Sequence, residues 1–217
     1  MRAVVVFVTS LCAALVANAA VDSGGRIEIR SMDFDVFLDD ARIGYHHYEI
    51  HVDGTARTVR SKATFDVKVL FFTAFRYRHE LEERWDGDCL VELDATTNSN
   101  GNRSAVAGER NDRSFVVETA GERAELPACV MTFAYWNPDF LDERRLLNPQ
   151  TGRYVDIDVE SLGQRTLNLA GGEFLANGYT VRAKDYEVTV WYSANDAAWL
   201  ALESPARGGR TLRYELT

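Results

Sequence analysis

Three of the four histidines lie within residues 45–51, at a spacing that a metal site could use. Side chains in a strand alternate between two faces, so His47, Glu49 and His51 share one face. Residues two apart can bind one metal ion, but residues four apart lie about 13 Å from each other and cannot. His79 is the candidate for a further ligand from another part of the chain. The alternative interpretation is a polar, half-exposed strand face without a metal, and we predict no cofactor.

The sequence lacks the usual motifs for nucleophilic catalysis. It contains neither Gly-x-Ser-x-Gly nor Ser-x-x-Lys, the spacings that position an activated serine. Carboxylate pairs such as Asp156 and Asp158 share a strand face, but acidic strand faces are commonly just solvated. Residues 86–88 are too short for a calcium loop, which needs several acidic residues at alternate positions. We therefore name no catalytic residue.

Apolar residues occupy both strand faces over residues 69–75, where the alternation fails. A strand of this kind is either covered on both sides or bent. One interpretation is a sheet corner packed under residues 126–150. The other is the wall of an apolar cavity that accepts a lipid-like ligand. The candidate ligand-binding residues are Phe71, Phe72, Phe75, Phe133, Tyr135 and Trp136.

The first residues have the pattern of an export signal. Arg2 is followed by an uncharged run over residues 3–16 and by an A-x-A site at residues 17–19. We predict a signal peptide over residues 1–19 and a single mature β-rich domain over residues 20–217, exported to the periplasm or secreted. No later segment is apolar enough to span a bilayer as a helix, so we expect no transmembrane span after cleavage.

Composition and length narrow the class of protein. The 217 residues carry 33 Asp and Glu against 24 Lys and Arg, a formal net charge of -9. Nucleic-acid binding needs a basic surface, so an acidic chain argues against a nucleic-acid partner. The length suits one domain around one substantial core.

Cysteine usage agrees with export. Cys12 lies in the predicted signal after Leu11, a residue too large for the usual lipoprotein site. Cys89 and Cys129 are then the only pair in the mature chain, and an even number in an oxidising compartment favours a disulfide between them. The bond would close a loop of about 40 residues and stabilise the fold by about 4 kcal/mol. The alternative is two buried free thiols.

Turn signals at short intervals separate stretches rich in β-branched and aromatic residues, a pattern typical of antiparallel hairpins. The clearest strand covers residues 75–85, whose odd positions are mostly apolar and whose even positions are all charged. One face is therefore predicted to be buried and the other solvated. Similar alternation is present in Phe34-Val36-Leu38, Val188-Val190-Tyr192 and Trp199-Ala201.

Residues 126–150 break this strand pattern. They contain Pro127, Pro138 and Pro149, three of the four prolines in the chain. Proline cannot donate to a strand ladder and disfavours helix in the residue before it. We predict short helical turns and loop that cover the sheet, with a short helix over residues 139–147.

Two strings in and near this segment are distinctive: FAYWNP at residues 133–138 and LLNPQTG at residues 146–152. They resemble a family of exported bacterial proteins, domain of unknown function family 6134, and the resemblance covers nearly all of the mature chain. It implies a bacterial, periplasmic protein, and the family has no established activity to transfer. The meander is also similar, more loosely, to half-barrels of the lipoprotein-carrier type, whose members hold acyl chains in a concave sheet. Likeness of fold does not determine function.

These patterns predict a mainly β protein, an antiparallel meander of roughly ten strands that forms an open or partly closed β-barrel with one short α or loop segment covering it. A non-enzymatic binder of an apolar or lipid-like ligand ranks first, a scaffolding or interaction module of the cell envelope second, and a hydrolase third. A cavity beneath the aromatic candidates favours the binder and a filled core favours the scaffold. A cleft where carboxylates, or His47 and His79, converge with a perturbed pKa favours the enzyme. The sequence indicates no particular oligomeric state.

Overall fold

The computed structural model describes residues 28–69 and 72–217, apart from the side chains of Val69 and Phe72. The predicted signal peptide, residues 1–19, lies outside the described residues, as does Phe71. None of the helices in the described ranges has the length and hydropathy that a bilayer span requires.

Most of the described chain is antiparallel strand, because the sequence alternates apolar and polar residues between closely spaced turns. Of the fifteen strands in the described residues, thirteen form one sheet and two short strands form a separate pair. The strands are β1 (Glu28–Leu38), β2 (Ala41–Asp53), β3 (Ala56–Val69), β4 (Phe72–Asp86), β5 (Cys89–Ser99), β6 (Asn102–Arg110), β7 (Ser114–Thr119), β8 (Glu122–Pro127), β9 (Arg145–Leu147), β10 (Tyr154–Asp156), β11 (Asp158–Leu169), β12 (Gly172–Ala183), β13 (Tyr186–Ser193), β14 (Trp199–Ala206) and β15 (Arg210–Leu216).

The main sheet joins two meanders through its first and last strands. Strands β1 to β8 run in order to one edge, and β15 back to β11 run in order to the other. Between them β1 pairs with β15, with Phe34 opposite Leu216 and Leu38 opposite Leu212. The sheet remains open, with β8 and β11 as its edges, so the prediction of a mainly β, antiparallel, open barrel-like fold is confirmed. It has thirteen strands rather than roughly ten, because the tight hairpin turns fit more strands into the same length.

Most of the buried apolar side chains lie on one face of the sheet, which we call the inner face. On β1, Phe34, Val36 and Leu38 are buried, as their alternation predicted. On β4, the odd positions from 77 to 85 are buried or half-buried and the charged even positions from 80 to 84 are exposed, which confirms the strand predicted there. Burying one large apolar side chain contributes about 1.5 to 3 kcal/mol, so the inner face provides most of the driving force for folding.

Residues 128–157, which we call the cover segment, pack on the inner face. They contribute to the same hydrophobic cluster as the sheet residues Phe34 and Trp85. The buried members from the cover segment are Val130, Met131, Ala134, Phe140, Leu146 and Leu147. The predicted covering role of this region is therefore present in the fold.

The helix predicted over residues 139–147 is wrong in both type and extent. The structure has a five-residue 3-10 helix, Pro138–Asp142, in place of a short α-helix. The Asn137 side chain caps it by accepting a backbone N–H of the first turn. Beyond it the chain extends, because the Leu147 N–H donates to the Met131 carbonyl and so pairs away from its own helix.

A disulfide attaches the cover segment to the sheet. It joins Cys89, the first residue of β5, to Cys129 near the start of the cover segment. Next to it, the Leu90 N–H donates to the Val130 carbonyl at 3.2 Å. The beginning of the cover segment is therefore held to the sheet by a covalent bond and a backbone hydrogen bond.

Candidate functional site: a half-open groove on the inner face

The register of β2, β3 and β4 places inward side chains in rows across the sheet. Directly opposite residues in neighbouring strands lie about 5 Å apart, so each row forms a continuous surface. Two of these rows are His46, Ala63, His79 and Tyr48, Ser61, Leu81.

These rows form the floor of a half-open groove with a volume of about 780 Å³. Pockets that bind small molecules have volumes of about 300 to 1,000 Å³, so the groove can hold one ligand of that class. Its lining is mostly aromatic and aliphatic, and it comes from β1 to β6, β13 to β15 and the cover segment. Aliphatic members include Leu38, Ile43, Val67, Leu202 and Leu212.

Three aromatic rings form one wall of the groove. Phe65 on β3 stacks on Tyr77 of β4, with ring centroids 5.1 Å apart and planes 10° apart. Tyr214 on β15 packs edge-on against Phe65 at 5.9 Å. Aromatic pairs in these geometries add about 0.5 to 1.5 kcal/mol beyond their buried area. The wall is therefore held in position by contacts within the protein.

Three of the predicted ligand-binding residues line the groove. Phe75 comes from β4, and Phe133 and Tyr135 come from the cover segment. Phe72 belongs to β4, but its side chain is not among those described, and Phe71 lies outside the described residues.

Trp136 is not part of the groove, contrary to the prediction. Its ring packs in a T-shape against Trp85, with centroids 5.7 Å apart, and the Arg57 guanidinium lies 5.7 Å from its ring centroid. Tyr135 and Trp136 are the central residues of a turn that the Asn137 N–H closes by donating to the Ala134 carbonyl at 2.8 Å. The chain reverses between them, and Tyr135 lines the groove while Trp136 packs elsewhere in the core.

His46 and Ser61 are a buried polar pair on the groove floor. The His46 Nε2 and Ser61 Oγ atoms are 3.0 Å apart and share a hydrogen bond. Burial lowers the pKa of His46 to about 3, so its ring is neutral at pH 7. The Nδ1 atom has no hydrogen-bond partner among the described residues. A serine–histidine catalytic unit uses a third group that hydrogen-bonds the other ring nitrogen, and no described residue does so here.

The metal-ligand candidates do not converge. His47 and Glu49 project from the outer face, and the His47 Nδ1 is 2.7 Å from Asp33 Oδ1. His79 projects from the inner face, where its Nδ1 is 2.9 Å from Thr97 Oγ1 and burial lowers its pKa to about 4. Strand alternation separates these faces. In the described part of the chain, no group of three or more His, Cys, Asp or Glu side chains is arranged to hold a metal ion.

Glu83 is a buried carboxyl group on the inner face of β4, only 1% exposed. It accepts hydrogen bonds from Thr132 Oγ1 in the cover segment at 2.8 Å and from Trp85 Nε1 at 3.1 Å. Burial raises the pKa of Glu83 to about 7, and these hydrogen bonds partly offset the rise. Glu83 therefore connects the sheet to the cover segment. Its carboxyl group loses its proton near neutral pH.

Comparison with known proteins identifies the family of the chain and a solved structure with a similar fold. The family model for the domain of unknown function DUF6134 matches residues 34–217. A solved structure, a β-barrel-like protein of domain of unknown function DUF1849 from Brucella abortus, superposes with a TM-score of 0.64 at 13% sequence identity. The match covers 89% of this chain and 97% of that chain, and at this identity it supports the fold alone. The comparison with curated proteins gives no match.

Proposed function

Since this chain belongs to the DUF6134 family of unknown function, its activity has to be inferred from the groove, and we propose that it binds an apolar, lipid-like ligand there without catalysis. The observation that carries the proposal is the half-open, largely apolar groove of about 780 Å³. Protein interiors are normally packed almost without voids, and a contiguous apolar surface left open is characteristic of binding sites.

The groove walls are arranged for binding before a ligand arrives. Phe65, Tyr77 and Tyr214 pack against one another, so their rings keep their places without a ligand. Association then costs little side-chain ordering, and more of the buried apolar area contributes to affinity. The fixed positions of these rings favour binding to a preformed site over binding that requires the groove to reorganise.

The floor offers one place for a polar group of the ligand. The hydroxyl of Ser61 can exchange hydrogen bonds with a hydroxyl, carbonyl or ether oxygen of the ligand. The neutral ring of His46 positions this hydroxyl, because its Nε2 shares a hydrogen bond with Ser61 Oγ and its Nδ1 is buried. A few such groups in an apolar pocket usually fix the orientation of the ligand. We assign this role to the pair.

We place this binding outside the cytoplasm, in the periplasm or the medium. Residues 1–19 support the proposal through their resemblance to a signal peptide, and the bond between Cys89 and Cys129 is of a kind that persists in oxidising compartments. An aqueous compartment of this kind is one in which a lipid needs a protein to shield it from water.

Titration with an uncharged apolar fluorophore, N-phenyl-1-naphthylamine, tests the proposal. We expect saturable binding with enhanced emission, and about tenfold weaker binding to Phe75→Ser, because the variant replaces apolar groove surface by a hydroxyl. Leu175→Ser is the matched control, since Leu175 is 47% exposed on β12 and does not line the groove. Equal weakening in both variants, or no saturable binding to the folded wild type, would contradict the proposal.

A further inference from the structure

The groove has a distinct mouth at one end of the sheet. Because neighbouring strands are antiparallel, the turns β1–β2, β5–β6 and β14–β15 all lie at this end. The turn after β1 contacts the start of β15, since the Asp39 N–H donates to the Thr211 carbonyl at 2.8 Å. The lining residues in or beside these turns include Asn100, Asn102, Arg207 and Arg210.

Within residues 28–69 and 72–217, the fully charged side chains that line the groove are two cations at this mouth. They are Arg207 and Arg210, and no Asp or Glu among the described residues lines the groove, although acidic residues outnumber basic ones 33 to 24 in the chain. The Arg210 guanidinium is 2.7 Å from Asp39 Oδ2, so its charge is compensated. Arg207 is exposed and makes no ion pair with any described residue. It is the cation available to a ligand.

Amide groups accompany the cation. Asn100, Asn102 and Gln150 line the groove, and the Ser104 hydroxyl donates to the Gln150 carbonyl at 3.1 Å, which places that loop beside β6. Side-chain amides donate two hydrogen bonds each and can accompany an arginine in binding carboxylate or phosphate oxygens. The mouth is therefore polar with a positive charge, whereas the walls behind it are apolar.

The deep end of the groove carries no net charge. Ser61 and Val67 are six residues apart on β3, so the floor extends for about 20 Å behind the mouth. Along this length the titratable groups of the lining are His46, His79 and tyrosines, whose buried side chains stay neutral at pH 7. A ligand with a charge at both ends would leave one charge buried without a partner, at a large cost.

We propose that the ligand is an anionic amphiphile whose apolar chain lies along the groove floor and whose single negative head group lies at the mouth against Arg207. This inference rests on the proposed function, because it assigns the ligand class of the same groove. The charge complementarity between the mouth and the head group sets the direction in which the ligand enters.

A pair of probes that differ only in head-group charge tests the inference: 11-(dansylamino)undecanoate and its methyl ester. We expect the acid to bind wild type about fivefold more tightly than the ester, and Arg207→Gln to remove this difference by weakening the acid alone. Arg123→Gln, at an exposed arginine of β8 outside the groove, is the matched control and leaves both affinities unchanged. Excess inorganic phosphate is expected not to displace the acid.

The outcomes separate the two proposals. If neither probe binds saturably, the proposed function itself fails. If both probes bind wild type equally, or if Arg207→Gln leaves the affinity for the acid unchanged, the groove binds apolar ligands but the anionic assignment is overturned. Displacement by inorganic phosphate would identify a plain anion site and also overturn the assignment.

Discussion

Replacing Cys89 and Cys129 together by alanine lowers the free energy of unfolding by about 4 kcal/mol. The bond closes a loop with a sequence separation of 40 residues, which contains β5 to β8, and it restricts the unfolded chain far more than the folded one. For a chain of this length the loss corresponds to a fall of about 10 °C in Tm. Urea unfolding of the non-reduced wild type and of the double variant measures the difference.

Reduced wild type is the control for that experiment, because it lacks the bond but keeps both sulfur atoms. We expect its free energy of unfolding to match that of the double variant. A double variant within about 1 kcal/mol of the non-reduced wild type would contradict the stabilising role, given the usual range for such bonds. Two alkylatable thiols in unreduced native protein would show that the bond does not form.

Replacing Glu83 by glutamine stabilises the protein above neutral pH and leaves its stability almost unchanged in acid. The pKa of Glu83 is about 7 in the folded protein, above its ordinary value of 4.5. The folded state therefore holds this proton more tightly than the unfolded chain, so the stability contributed by Glu83 is fully present below pH 4.5 and is lost as the pH rises to about 7. At about 1.4 kcal/mol for each pKa unit, the variant gains about 3 kcal/mol over wild type across this window.

The measurement is the free energy of unfolding of both proteins at several pH values, from which the difference is taken. Other titrating groups are common to both proteins and cancel. Glu82→Gln is the matched control: Glu82 is exposed, pairs with Arg60 at 2.9 Å, and is expected to change stability by less than about 1 kcal/mol at any pH. A difference for Glu83→Gln that stays flat from pH 4.5 to 8 would contradict the account.

Individual strands and their buried faces could be predicted because the information is local. Each buried residue of β1 from Phe34 to Leu38 alternates with a more exposed one, and β4 shows the same period. The order of the strands could not be predicted, because β1 pairs with β15 from the opposite end of the chain. Local alternation contains no information about such a distant partner.

The residues of the candidate site also fall into two groups, those that local sequence predicts and those that only strand pairing brings together. Phe75, Phe133 and Tyr135 could be proposed from apolar composition alone, and all three line the groove. His46 and Ser61 were missed, because they meet only through the register of β2 and β3. The available signal was the period of two in a strand, which puts His46 on the same face as Tyr48 and Ile50 and so indicates an inward side chain.

Glu83 illustrates a different reason for failure. The alternation of apolar and charged residues along β4 placed Glu83 on the buried face, between Leu81 and Trp85. In the sequence alone, a charged residue at such a position is only a break in the apolar pattern. Its partner Thr132 lies 49 residues further along the chain. Only the packing of the cover segment on the sheet shows that the carboxyl group is buried and hydrogen-bonded.

The most direct test of lipid binding is mass spectrometry of organic extracts from natively purified full chain. An unrelated exported protein, purified in the same way, is the control. We predict a lipid enriched stoichiometrically with the wild type and depleted from folded Phe75→Ser. Extracts of the wild type that match those of the control would contradict the account and place a scaffolding role ahead of ligand binding.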